Sequence, residues 1–237
     1  MSVLKQFFRN ELSGWRPAEI IWLSFCLVST LGISLYLKDS APGIAASLTG
    51  TAYTIIAGKG KISCYLFGVF NTLLYGFVSY QNRLFGEVML NWGWYLPMMF
   101  CGAFFWKRNL NKSSTITKTS LPLKGKLICA LLCILGIAGY AVLLKHLKDP
   151  QPVIDSLTTV LSIAAMILTV KRCIEQWVLW TIVNILAIVM WLQVYLENGN
   201  SAASLLMWCM ALANGIIFFI TWRRELEPEE REKCQMD

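Results

Sequence analysis

The sequence predicts an all-α membrane protein with eight transmembrane helices: one N-terminal helix, then a 3+1+3 arrangement of two parallel three-helix bundles. Three observations carry this prediction: composition, the placement of basic residues, and an internal repeat. Of 237 residues, 56% are apolar and only 15% charged, outside the range of soluble globular domains. Apolar stretches run at 18–37, 43–58, 62–80, 86–106, 126–147, 153–170, 175–196 and 201–222, most of them near the ~20 residues that a spanning helix needs. With the connections assigned alternately, all of the 21 lysines and arginines except Lys38, Arg83, Lys145 and Lys148 fall on the side of the N-terminus. The positive-inside rule makes that side cytoplasmic, and with it both termini. Seven spans would break the alternation.

The first span belongs to an N-terminal segment, 1–42. It is too long and too late for a secretory signal, and no small-residue cleavage pattern follows it. Residues 43–106 form the first bundle. Residues 107–152 hold a cytoplasmic loop and the linker helix 126–147. That loop is rich in Asn, Ser, Thr and Lys, and is expected to lie on anionic headgroups. Residues 153–224 form the second bundle, and 225–237 a charged cytoplasmic tail.

The repeat appears when Asn71 is set on Asn184. Cys64-Tyr-Leu-Phe67-Gly-Val-Phe-Asn71 then lies against Trp177-Val-Leu-Trp180-Thr-Ile-Val-Asn184. Ser47-Leu48-Thr49 falls near Ser156-Leu157-Thr158, Lys59 and Lys61 near Lys171 and Arg172, and Trp106-Lys107-Arg108 on Trp222-Arg223-Arg224. A three-span repeat inverts its second copy unless one further helix intervenes, and 126–147 supplies it. This is the parallel-repeat plan of SWEET-type transporters, which hold substrate between the bundles near the midplane.

The candidate site follows from polar groups at bilayer depth, which are costly and usually functional. No charge occurs between Glu175 and Glu197, and within that stretch Trp177, Trp180, Asn184, Ala187 and Trp191 share one helical face. An amide in hydrocarbon needs a partner, so this face should look inward. Indole faces favour a flat, especially a cationic, ring. Asn71, the repeat mate of Asn184, faces it from the other bundle. It either holds a ligand or makes an interhelical bond. Asn91 lies beside Gly93 and Pro97, where a kink is expected. Asn214 places another amide at depth, and Gln193 sits toward the outer mouth. Tryptophans near span ends also populate interfacial belts, which is the plain alternative for Trp177 and Trp191. Asp155 and Glu175 suit helix starts, with Asp155 also able to draw a cation to the outer mouth. His146 marks a solvated helix end.

Several classes are excluded. No Ser/His/Asp set, HExxH, paired buried carboxylate, or Walker or Rossmann glycine pattern occurs, so neither enzyme activity nor a cofactor is expected. The eight cysteines form no CxxC pair and read as packing residues rather than metal ligands or disulfides. The formal charge of +7 reflects topology and not nucleic-acid binding. No span carries the deep acid that marks proton coupling, which favours facilitated diffusion.

Lys61-Ile-Ser-Cys-Tyr65…Asn71, Asp155-Ser156…Leu161-Ser162-Ile-Ala-Ala-Met166-Ile-Leu, Glu175-Gln-Trp177-Val-Leu-Trp180-Thr-Ile-Val-Asn184 and Asn214 together resemble the nicotinamide riboside transporter (PnuC) family of bacterial inner-membrane proteins, over about residues 43–224. The resemblance implies a SWEET-like fold and a homotrimer. It also implies passive or gradient-driven uptake of nicotinamide riboside, trapped by a cytosolic kinase. Trp177, Trp180 and Asn184 match the family's substrate motif, whereas Cys64 departs from an asparagine common there. Relatives that take up thiamine or riboflavin share the fold.

Overall fold

A computed structural model describes residues 3–111, 113–147, 152–199 and 201–236, the side chains of 3, 4, 6, 7, 198 and 227–236 excepted. Lys112 and Lys148 therefore lie outside the described residues, as do the side chains of Arg231 and Lys233. All regular structure among the described residues is helical apart from two isolated bridges, Leu110 with Ile116 and Thr119 with Cys173. The helices are α1 (Val3–Leu12), α2 (Pro17–Tyr36), α3 (Ala41–Lys59), α4 (Cys64–Gln81), α5 (Phe85–Val88), a π-helical segment (Met89–Tyr95), α6 (Leu96–Lys107), α7 (Leu123–His146), α8 (Pro152–Val170), α9 (Gln176–Asn198) and α10 (Ala202–Met236).

Among the described residues, five helices are long and apolar enough to cross a membrane: α2, α7, α8, Gln176–Glu197 of α9 and Ala202–Leu226 of α10. The apolar stretches at 43–58 and 62–80 fall in α3 and α4, which carry more Gly, Ser, Thr and Tyr. Burial accounts for that composition. On α3, Gly43, Ala46, Ser47, Gly50, Thr51, Ala52, Ile55, Ile56, Ala57 and Gly58 are all buried, so small residues let its neighbours approach. At the other extreme, only Cys133 and Leu144 of α7 are buried, and most of its other Leu and Ile side chains point outward as a lipid-facing helix requires.

Six helical elements close into a ring. α3 packs on α4, α4 on α6, α6 on α8, α8 on α9, α9 on α10, and α10 back on α3. Outside the ring, α7 packs on α8, and α2 on α3 and α10. The ends of α3, α6 and α8 that carry Lys59, Lys107 and Lys171 define a basic end.

The fourth apolar stretch departs from a simple kink. Pro97 has no N–H to give to Gly93, and the chain widens one turn earlier: the Leu96 N–H donates to the Asn91 carbonyl, five residues back. A π segment of this kind is frequent at functional sites. Here it leaves Asn91 and Tyr95 buried on one side and Trp92 exposed on the other.

The segment after α6 folds onto the protein through its backbone. The Ile116 N–H donates to the Gly60 carbonyl (3.0 Å), the Thr119 N–H to Arg172 (3.0 Å), and the Ile174 N–H to Thr119 (2.9 Å). One strap thus joins the turn after α3 to the turn after α8. Gly60 makes its turn with φ at +78°, a conformation that glycine adopts without steric cost.

α1 is fixed to the same end. Lys61 is fully buried, and its ammonium donates to the carbonyls of Asn10 (2.7 Å) and Ser113 (3.4 Å). Burial pulls its pKa below the ordinary lysine value, against the opposing pull of the Glu11 charge. Glu11 accepts from the Ser63 N–H (3.1 Å) and hydroxyl (2.6 Å). Glu11→Ala would leave both donors without this acceptor, at a cost of about 1–3 kcal/mol. The expected outcome is a thermal midpoint several degrees lower in detergent; an unchanged midpoint would show that α1 contributes nothing to stability.

Candidate ligand-binding cavity

The ring encloses a cavity of about 100 Å³. Its most distinctive wall is α9. The inward stripe Trp177, Asn184, Ala187 and Trp191 is buried, whereas Val178, Ile185 and Val189 on the opposite face are about half exposed. Trp177, Trp180 and Asn184 line the cavity. Trp191 lies beyond it, fully buried, with its indole N–H donating to the Tyr75 hydroxyl at 2.5 Å.

Each aromatic is fixed by a specific contact. The Trp180 indole N–H donates to the Thr169 hydroxyl on α8 (3.0 Å), which donates in turn to the Ala165 carbonyl (2.9 Å). Its ring lies 6.0 Å from that of Tyr95, tilted by 50°. The Trp177 ring sits 5.7 Å from Phe218 and 5.5 Å from Trp222, edge-on to the latter. Among the described residues its N–H has no partner. These contacts lock both indoles in place before any ligand arrives, which reduces the ordering cost of binding.

The amides divide into two groups. Asn71 on α4 donates to the Ala46 carbonyl (2.9 Å) and faces the Met207 sulfur at 3.5 Å. Gly50 makes that approach possible, since a Cβ there would lie 2.7 Å from the Asn71 amide nitrogen and 2.4 Å from the Met207 sulfur. Asn91 donates to the Glu87 carbonyl (2.9 Å). Asn71 and Asn91 therefore line the cavity with one hydrogen-bonding edge already engaged. Asn184 is buried, yet none of the hydrogen bonds among the described residues involves its amide.

Two sequence candidates lie elsewhere. Asn214 is fully buried and turned toward α2, where its carbonyl accepts from the Trp22 indole N–H (2.8 Å). It is absent from the cavity wall. Gln193 is exposed. Two residues past Trp191, it falls about 200° around the helix, away from the inward stripe.

Other lining residues had weaker signals in the sequence. Gln176 is 2% exposed, lines the cavity, and has no partner for its amide nitrogen among the described residues. Its only hint was its place one residue before Trp177. Tyr95 lies four residues from Asn91, hence on the same side. Tyr75, Met99, Met166 and Met207 complete much of the wall, and nothing in their spacing set them apart from core residues. Soft thioethers suit contact with a flat ring. No lining residue is charged, and no cluster of potential metal ligands occurs among the described residues.

A family model described as "Nicotinamide mononucleotide transporter" matches residues 40–224. A nicotinamide riboside transporter PnuC from Neisseria mucosa is 34% identical over 222 residues, 91% of this chain and 84% of that protein. The PnuC protein of Haemophilus influenzae is 30% identical over 224 residues, 93% of this chain and 95% of its own. The chain belongs to the PnuC family. The crystal structure of the vitamin B3 transporter PnuC has the same fold, with a TM-score of 0.86 at 34% identity, covering 96% of this chain and 99% of that one. PnuC proteins are membrane transporters, so this chain is not an enzyme.

One wall residue of this PnuC member is also a structural hub. The Tyr75 hydroxyl accepts from Trp191 (2.5 Å) and from Trp208 (2.9 Å). Tyr75→Phe removes that acceptor and leaves two indole N–H groups unpaired, at about 1–3 kcal/mol each. A clear drop in the detergent thermal midpoint is expected, and no drop would mean that both indoles find other acceptors.

Proposed function

We propose that this chain takes up nicotinamide riboside across the bacterial inner membrane. One observation carries the substrate: the cavity is aromatic, rich in amides and without a single charged lining residue. Nicotinamide riboside offers a cationic pyridinium for the faces of Trp177, Trp180 and Tyr95. Its carboxamide and hydroxyls would satisfy Asn184 and Gln176, the two lining amides with unpaired donors. The related proteins from Neisseria mucosa and Haemophilus influenzae are named for the same compound.

The family model carries the name of the mononucleotide, and the cavity discriminates between the two. A phosphate adds about −1.5 to −2 charges at neutral pH, and burying it without a cationic partner is prohibitive. The absence of a cation from the lining therefore supports the riboside over its phosphorylated form as the substrate. The same contrast gives a physical basis for retention inside the cell. Once a cytosolic kinase has phosphorylated the riboside, the product cannot re-enter a neutral site.

The architecture we infer is eight spans with both termini cytoplasmic, in the 3+1+3 plan. The bundles are α3 with α4 and α5–α6, and α8 with α9 and α10; α7 is the linker. Packing around the ring supports this plan. The pairs α3–α4 and α4–α6 correspond to α8–α9 and α9–α10, and the closing contacts α10–α3 and α6–α8 exchange under the same two-fold operation. Rocking of the bundles would open the site alternately to either side. An acid-free cavity supports facilitated diffusion over proton coupling, and the family likeness supports a homotrimer.

Calorimetry on the purified protein would test the reading with nicotinamide riboside, its mononucleotide, thiamine and riboflavin. Saturable binding of the riboside alone is expected. Trp180→Ala, Asn184→Ala and Gln176→Leu should each weaken it about 5- to 150-fold, the equivalent of roughly 1–3 kcal/mol, while the fold is kept. Binding of thiamine or riboflavin in place of the riboside would reassign the substrate. Unchanged riboside affinity in all three variants would move the site.

A further inference from the structure

Between the cavity and the basic end, the two halves of the ring are joined by a matched pair of hydrogen bonds. Trp106, last but one in α6, donates its indole N–H to the carbonyl of Thr169 at 3.0 Å. Trp222 on α10, its counterpart in the repeat, donates to the carbonyl of Gly58 at 2.7 Å. Thr169 is last but one in α8 and Gly58 last but one in α3. Each half therefore reaches across with the same residue type to the same place on the first helix of the other. Both indoles are fully buried.

The chemistry of the bonds suits repeated making and breaking. The final carbonyls of a helix have no donor within it. An indole can therefore take or leave one without unwinding the helix. The space is also made to measure: a Cβ on Gly58 would lie 2.1 Å from the Phe218 ring, so glycine is what lets α10 come close enough for Trp222 to reach its carbonyl. Each clamp is edged by an aromatic from the start of the second helix of its own repeat. Tyr65 lies 5.0 Å from Trp106 at 83°, and Trp177 lies 5.5 Å from Trp222 at 89°. The two edges differ in one respect, because Trp177 lines the cavity and Tyr65 does not. A ligand stacked on Trp177 thus adjoins the Trp222 clamp, and one stacked on Trp180 reaches the Trp106 clamp through Thr169, which holds both indoles.

We propose that Trp106 and Trp222 are the paired latches of the gate at the basic end, each coupled to the cavity through a lining residue. Opening toward that end breaks both indole–carbonyl bonds. The far end needs no such change, since Trp191 and Trp208 meet Tyr75 there independently. The inference rests on the transporter reading but not on the identity of the substrate.

Hydrogen–deuterium exchange of the full chain in lipid nanodiscs tests it. Trp222→Phe keeps a large aromatic ring and removes the donor. It should speed exchange several-fold in the last turn of α3 and in the turns of α10 around Trp222, while the far ends of both helices stay at the parental rate. Trp106→Phe should do the same at the last turns of α6 and α8, and the double variant at all four. Added nicotinamide riboside should raise exchange in the parent at both latches. Exchange that stays at the parental rate in the double variant would overturn the proposal. So would exchange that rises equally at both ends, the mark of general destabilisation. Should Trp222→Phe fail to fold, Gly58→Ala attacks the same bond from the carbonyl side through Phe218, and Trp106→Phe tests the other latch independently. Riboside affinity, measured on the parent, reports separately on the substrate reading. A parent that binds no riboside leaves the exchange pattern of the Phe variants as the test of the latches.

Discussion

Hydrocarbon offers no hydrogen bonds, so every polar group brought into it must be answered by the protein itself or by something the protein carries. That constraint sorts the buried polar groups of this chain into two kinds. Many answer one another. Trp106 and Trp222 reach helix-end carbonyls, Trp180 finds Thr169, Trp191 and Trp208 share Tyr75, and Asn214 accepts from Trp22. Others among the described residues do not, the Asn214 amide nitrogen included, and of these Asn184, Gln176 and the Trp177 N–H line one cavity. A group left unpaired at depth costs several kcal/mol, and a ligand with complementary oxygens removes that cost. The unanswered groups are thus the part of the molecule that its own fold does not explain.

The inward face of α9 was legible in the sequence because its signal is local: an uncharged stretch with two indoles and an amide at helical spacing. The apolar stretches were legible for the same reason, and helices lie over all of them. What a local signal does not reveal is which distant neighbour a buried group meets. Asn214 and Asn184 look alike as amides at depth, yet one meets Trp22, 192 residues away in the chain, and the other meets nothing. The segment between α6 and α7 has the composition of a solvated loop. Its backbone nevertheless pairs with two turns that are distant in sequence, and Ile116 is buried beneath it. Gln193 has the depth of a mouth residue, but its position around α9 turns it away from the inward stripe.

The π segment lies between these cases. Proline and glycine announced a break in the fourth apolar stretch, and a break occurs. Its form, a widened helix instead of a bend, depends on Leu96 finding the Asn91 carbonyl once Pro97 can give nothing to Gly93. The consequence reaches the site. Tyr95 comes to rest against Trp180 from the opposite wall, and the aromatic slot is completed by a residue whose type was visible but whose direction was not.

On the proposed plan, the repeat would let a duplicated scaffold hold an asymmetric guest. Its two copies supply equivalent amides, yet Asn71 is engaged by the backbone of α3 at Ala46 while Asn184 is not engaged. Where the second copy has Trp177, the first has Cys64, which is buried away from the cavity wall. Gly50 lets Met207 and Asn71 fill the space on the side of the first copy. Symmetry is kept where the halves must move against each other, at the two indole–carbonyl latches, and given up where a single ring must be held in one orientation. A nucleoside has one aromatic end and one hydroxylated end, so a site with two identical halves would hold it in two opposed poses. The departure of the first repeat from the second is therefore the feature expected of a carrier for an asymmetric solute, and it places selectivity in α9 and motion in the frame around it.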